Sequence, residues 1–369
     1  MRKVLVSIII LFVSLQTLNV ISRYIIFDRT SYEPILNTRV LFPQIVNPWL
    51  NFDGQNYLNI VKLGYNSEDL LVFFPLYPMI IRVLSFGGFI NQIYLGLFLS
   101  FLFSSCALLA LYELVKKYEG ESVAFKTVLV FLLFPTSFFL FSFYTEGVFL
   151  LLTVFFFWTL RNKLFWASSL LVMLALVTKI FGLALLAPLI YSMYNSASKK
   201  VSDIISLFFI PFGLLAYFYF VYIEFGNPLL VFTGQGLPKY GRSIGIYSPI
   251  TILQETFFKI VRGPTGYDNV FVYPVIVLEA ITIIFAAAML ILTYKKLRID
   301  YWLFCFAVII IIIFSGGLSS DLRYILILFP FYIYIAKHFS RPSLVIWSII
   351  SMTLLIFAST LFLRNYWTG

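Results

Sequence analysis

Charge is scarce in this chain: Asp, Glu, Lys and Arg make up 11% of the 369 residues, against 61% hydrophobic ones. A chain so poor in charge cannot keep its apolar surface out of water as a soluble globule. Histidine is nearly absent as well. The single one, His338, sits beside Lys337 at a helix end, which argues against a histidine metal site or a Ser-His-Asp triad built on it. The two cysteines, Cys106 and Cys305, lie far apart inside apolar runs. They make no disulfide framework and read as small buried apolar residues. Also missing are the alternating segments of about ten residues that mark an outer-membrane barrel, a second domain, low-complexity tracts and solenoid periods. No convincing metal-ligand spacing occurs; Asp53, Glu146 and Asp321 are the acids from which a cation site would have to be assembled.

What the chain does have is apolar runs, repeated from end to end. A bilayer core needs roughly 20 apolar residues per helix, and lipid offers backbone groups no partners, so the runs are predicted to be helices. Arg2 and Lys3 precede a run from Val4 to Ile21 without a small-residue cleavage site, read as an uncleaved first helix with a cytoplasmic N-terminus. Later spans are predicted at Ile90 to Val115, Val123 to Phe141, Glu146 to Leu160, Leu164 to Val177, Phe181 to Tyr194, Ile204 to Glu224, Val270 to Tyr294, Tyr301 to Phe314, Tyr324 to Ala336 and Leu344 to Leu363. The expected fold is a single all-α polytopic bundle of about eleven spans, occupying residues 1–369.

The net charge of +10 sits in short clusters between the runs, so it points to positive-inside topology and away from nucleic acid as a partner. Lys116 and Lys117, Arg161 and Lys163, Lys199 and Lys200, Lys295, Lys296 and Arg298, then Lys337 and Arg341 are expected on the cytoplasmic side. The other connections then share the opposite face and hold the unusual chemistry. They are a structured first extracytoplasmic loop over 22–88, the turn Tyr144 to Glu146, the break Thr178 to Gly182, a second long loop over 225–269 and the stretch Ser319 to Tyr324.

Asp53 is followed by Gly54 and flanked by Trp49, Phe52 and Tyr57. An acid in that half-buried aromatic setting suits a general base; equally, an Asp there suits a helix cap. Phe73 to Pro78, F-F-P-L-Y-P, reads as a rigid entry to a helix carrying Arg82, its Tyr77 an interfacial anchor or a ring for carbohydrate stacking. Glu146, Glu224 and Glu279 fall in or at the ends of apolar runs, where an ionisable group points to a cavity or a partner. Lys179, between two half-length runs, suits a phosphate. So do Arg242, beside Gln235 and Lys239 in the second long loop, and Arg323, one residue beyond Asp321. Acids and cations on one face describe a site for an anionic, polar-headed substrate arriving through the bilayer, such as a sugar linked to a lipid phosphate.

The ordered motifs F-D-G-Q-N-Y-L-N-I-V-K-L-G-Y, F-F-P-L-Y-P, L-F-P-T-S-F-F-L-F-S-F-Y-T-E-G-V-F-L-L-L, A-L-V-T-K-I-F-G-L, G-N-P-L-L-V-F-T-G-Q and L-R-Y-I-L-I-L-F-P span Asn47 to Pro330. In them the chain resembles the PIG-V family, the GPI mannosyltransferase II-like members of the GT-C membrane glycosyltransferases. The resemblance implies a GT-C-type bundle and a polyprenyl-phosphate sugar donor, usually mannose. It also implies inverting transfer to a hydroxyl of a glycolipid or other glycoconjugate, with no further cofactor. It maps the catalytic base onto Asp53 and leaves Glu146, Lys179, Gln235, Arg242, Asp321, Arg323, Tyr57 and Tyr77 as candidate substrate-binding residues. The active site would lie on the non-cytoplasmic face, of the plasma membrane in a prokaryote or the endoplasmic reticulum in a eukaryote. Phe52 stands where the family often has Trp, and Lys179 where it commonly has Arg. The chain is also shorter than typical eukaryotic relatives, which favours a prokaryotic protein with a different acceptor. A transporter or flippase for a lipid-linked sugar would use the same aromatics and cations, but needs polar groups along a path through the membrane, for which Glu279 is the nearest candidate.

Overall fold

The computed structural model describes residues 1–29, 40–196, 200–233, 248–263, 269–314, 318 and 320–368, and every regular element among them is helical. Five helices are long and apolar enough to cross a membrane: Arg2–Ser22, Gln92–Glu119, Val201–Phe225, Tyr273–Thr293 and Arg341–Leu363. Shorter apolar helices lie at Phe165–Leu176, Ile180–Tyr194 and Ile299–Ile313. The chain is an all-helical, multi-pass membrane protein.

The longest helix, Gln92–Glu119, shows how local chemistry sets an element. Asn91 Oδ1 accepts hydrogen bonds from the N–H groups of Ile93 at 3.0 Å and Tyr94 at 3.4 Å, capping the start. Lys116 and Lys117 occupy the last turn, where the helix dipole favours cations, and Gly120 ends the helix at φ 89°.

Several apolar runs are not continuous helices, and proline is the reason. The Val123 to Phe141 run becomes the helix Glu121–Leu132, stops ahead of Pro135 and resumes as the 3-10 turn Ser137–Phe141. The Tyr324 to Ala336 run divides into Asp321–Ile325 and Phe329–His338, with Pro330 at the start of the second piece. Proline lacks an N–H and pushes the preceding residue out of helical geometry. In an apolar phase the freed carbonyls need donors. Hydroxyls supply them: Ser137 Oγ donates to Leu132 O at 2.6 Å, Ser104 Oγ to Leu140 O at 2.6 Å and Thr136 Oγ1 to Leu322 O at 2.8 Å.

The segment ahead of the longest helix folds as Pro43–Val46, Asn47–Leu50, Asp53–Leu63, Glu68–Val72 and Leu76–Leu84. Bonds from distant elements hold it against the bundle. Phe143 N–H donates to Trp49 O at 3.0 Å, Asn51 Nδ2 to Phe362 O at 2.8 Å, Leu76 N–H to Val177 O at 2.9 Å and Tyr217 OH to Leu71 O at 2.7 Å.

Basic clusters gather at one end of the bundle. Lys117 lies 5.6 Å from the Trp158 ring centre, Arg161 is sandwiched between Tyr118 at 4.0 Å and Tyr301 at 4.6 Å, and Lys337 pairs with Glu119 at 2.7 Å. Glu146 opens the helix that Arg161 closes, which separates them by about 22 Å at 1.5 Å rise per residue. Lys199 lies outside the described residues. The first and last helices meet where Arg364 pairs with Asp28 at 3.0 Å and donates to Asn19 Oδ1 at 3.1 Å.

Candidate active site

Three local devices aim charged side chains at one spot, at the end of the bundle opposite the basic clusters. The first is the F-D-G turn. Phe52 takes φ 58° and ψ −118°, a backbone region that non-glycine residues avoid, and the strain is of order 1–3 kcal/mol. Its ring is locked by Trp367 at 4.9 Å and Phe362 at 5.9 Å, and the turn delivers Asp53 at the first position of the helix Asp53–Leu63.

The second device presents Glu146 at the start of Glu146–Arg161. That helix packs on Gln92–Glu119 so closely that a Cβ on Gly147 would lie 2.3 Å from Ser104 Oγ and 3.0 Å from Ser100 O. The third is the T-K-I-F-G break, which presents Lys179. Here the chain doubles back over the end of Phe165–Leu176, and a Cβ on Gly182 would fall 2.5 Å from Leu176 N and 2.7 Å from the Ala175 carbonyl carbon. Only glycine fits against backbone at that distance.

Arg323, on the five-residue helix Asp321–Ile325, joins these acids. Its Nη1 donates to Asp53 Oδ2 at 2.6 Å, and its Nε lies 3.4 Å from Glu146 Oε1. Lys179 Nζ donates to the same Glu146 oxygen. Glu146 is fully enclosed, and its Oε2 has no hydrogen-bond partner among the described residues, so its charge is balanced through Oε1 alone. Two acids and two cations thus form a neutral quartet in which every charge is compensated, as burial demands. Aromatic rings wall it: the Arg323 guanidinium carbon lies 5.4 Å from the Phe139 and Tyr144 ring centres, 5.3 Å from Tyr324 and 5.7 Å from Trp367. Such ring faces favour a cation.

Asp53, Glu146, Lys179 and Arg323 therefore come together as the charge pattern led one to expect. Tyr57 is buried beneath Asp53; burial, with Asp53 and then Glu146 adding to it, drives its phenol well above the ordinary tyrosine range. Tyr77 is fully enclosed, its hydroxyl bonded to Gly96 O at 3.1 Å and Ser100 Oγ at 2.7 Å. Tyr57 packs edge-on against it at 5.7 Å, and the Tyr77 ring is enclosed rather than presented at the surface. Asp321 is buried on the same short helix as Arg323. Glu224 is exposed at the end of Ile210–Phe225. Gln235, Lys239 and Arg242 lie outside the described residues. Among the described residues no group of three or more acids, histidines or cysteines is placed to hold a metal ion, so Asp53, Glu146 and Asp321 do not form one.

Sequence reasoning missed Trp367, which comes after the last helix and beyond the quoted motifs. The only available signal was a tryptophan just past an apolar run, a common interfacial position. It also assigned Glu279 no partner, whereas Glu279 Oε1 accepts a hydrogen bond from Ser320 N–H at 2.9 Å.

No curated protein matches the chain. A family model described as mannosyltransferase (PIG-V) matches residues 2–232, a stretch that contains Asp53, Glu146 and Lys179 but ends before Arg323. With more than half of its length matched, and three members of the ion quartet inside the match, the chain belongs to the mannosyltransferase (PIG-V) family.

Proposed function

We propose that this membrane glycosyltransferase moves mannose from a polyprenyl-phosphate donor to a hydroxyl of a glycolipid or other glycoconjugate, with inversion, at the non-cytoplasmic end of a GT-C-type bundle of about eleven crossings. The observation that carries the reading is the Asp53–Arg323 pair at 2.6 Å, a base and an anion-binding group joined at the end away from the basic clusters.

The chemistry follows from that pairing. An arriving donor phosphate competes with Asp53 for Arg323, whose planar fork suits phosphate oxygens, and Lys179 adds a second positive charge. Asp53, released from its partner, takes the proton of the acceptor hydroxyl. The acceptor oxygen attacks C1 of the sugar from the side opposite the phosphate, forming the glycosidic bond as the C1–O bond to phosphate breaks. The electron pair leaves with that oxygen, and Arg323 and Lys179 stabilise the polyprenyl phosphate produced. Arg242 and Gln235, which lie outside the described residues, complete the proposed contacts to phosphate and sugar hydroxyls.

The test is purified protein in lipid, given defined polyprenyl-phosphate sugars and a panel of acceptors, with products read by mass spectrometry. A new glycosidic bond from the mannosyl donor is expected. Sugar appearing in the opposite leaflet with no new bond would overturn the reading in favour of a transporter.

A further inference from the structure

The position of Arg323 has to be explained, because the helix that carries it cannot hold itself. Asp321–Ile325 is five residues long, far below the length at which a helix is stable alone. Its geometry is therefore imposed from outside. On one side Thr136 Oγ1 donates to Leu322 O at 2.8 Å. On the other, Glu279 Oε1 receives the N–H of Ser320, the residue immediately before the helix, at 2.9 Å.

Ser320 is the link that matters. It sits at φ 78° and ψ 10°, a left-handed conformation that a residue with a Cβ adopts at a cost. Its carbonyl accepts the N–H groups of Arg323 and Tyr324, both at 3.1 Å. One continuous path thus runs from the Glu279 carboxylate through the Ser320 peptide groups to the Arg323 backbone, and from the Arg323 side chain to Asp53. Glu279 itself is 7% exposed on the apolar helix Asn269–Thr293. An acid is costly there, and its retention asks for a task.

We propose that Glu279 is a positioning residue: its hydrogen bond to Ser320 holds the left-handed turn that fixes the register of Arg323, and so sets how well the site grips a lipid-linked phosphate. The inference rests on the reading of Arg323 as the phosphate-binding group. A path for substrate through the membrane is not needed to account for this acid.

The test compares wild type, Glu279→Leu and Glu279→Gln in lipid nanodiscs. Polyprenyl monophosphate binding is measured by native mass spectrometry, and donor KM, acceptor KM and Vmax are measured by transfer assay. Glu279→Leu is expected to weaken phosphate-lipid binding and raise donor KM by about tenfold, the order set by leaving one buried N–H without an acceptor, with acceptor KM unchanged. Glu279→Gln keeps an acceptor oxygen at the same reach and is expected to stay within about twofold of wild type. A fall in Vmax alone, with binding and both KM values intact, means lost folded protein and overturns the proposal. Equal damage from Gln and Leu overturns it too, because the bond to Ser320 would not be the cause. If Glu279→Leu does not fold, Glu279→Asp, one methylene short of Ser320, replaces it and is expected to show the same donor-specific defect. Wild-type binding without sugar transfer would sink the transferase reading while leaving Glu279 to be judged on the binding series. No wild-type binding of polyprenyl monophosphate would sink both.

Discussion

Replacing Asp53 by Asn keeps an oxygen for the Arg323 guanidinium but removes the proton acceptor. Transfer should fall by about a hundredfold or more, the scale of general-base catalysis, in protein that still folds but unfolds at a lower temperature, because buried Arg323 loses a charged partner. Unchanged turnover would remove Asp53 as the base. Lys179→Met tests the other half of the quartet, since Glu146 is wholly enclosed and shares its one paired oxygen between Lys179 and Arg323. Stripping a buried acid of a partner costs about 3–5 kcal/mol. The double variant Lys179→Met with Glu146→Gln should regain most of that stability but not donor binding. If the double variant is no more stable than the single one, the charge-balance account of this cluster is wrong. These residues were legible in the sequence because charge inside apolar runs is conspicuous. Which acid meets which cation was not, because pairing depends on packing between elements hundreds of residues apart. Glu279 makes the same point: the acid was visible, but its partner is a backbone N–H, which no side-chain pattern announces.

At the scale of elements, the departures from the expected spans follow proline. The run lengths were readable, but Pro135 and Pro330 each divide what hydropathy alone joins, and the short piece ahead of Pro330 is the one that carries Arg323. The T-K-I-F-G break depends instead on Gly182, whose missing side chain lets the chain fold back against the backbone of Leu176. Gly182→Ala should destabilise the protein by about 1–3 kcal/mol, as overpacking does, and displace Lys179. Thermal unfolding together with polyprenyl phosphate binding would check both effects. Wild-type values in both would show that the fold-back has room to spare.

For the whole molecule, the separation of charge types along the bundle sets a topology that can be measured. With Cys106 and Cys305 replaced by Ala, single cysteines at Phe89 and Lys163, both exposed and near opposite ends of the bundle, should react with an impermeant thiol reagent from opposite sides of a sealed vesicle. Labelling from the same side would sink the assignment of the two ends to the two faces.

The bond between Asp53 and Arg323 joins residues 270 positions apart, and that distance has a consequence for biosynthesis. A ribosome feeding this chain into a membrane makes the Asp53 turn 270 residues ahead of its partner. Under the proposed function, a growing chain that has not reached Arg323 therefore lacks the guanidinium that would grip the lipid phosphate. Such a chain would not turn over donor lipid, and competence would follow only once the helix Asp321–Ile325 has docked.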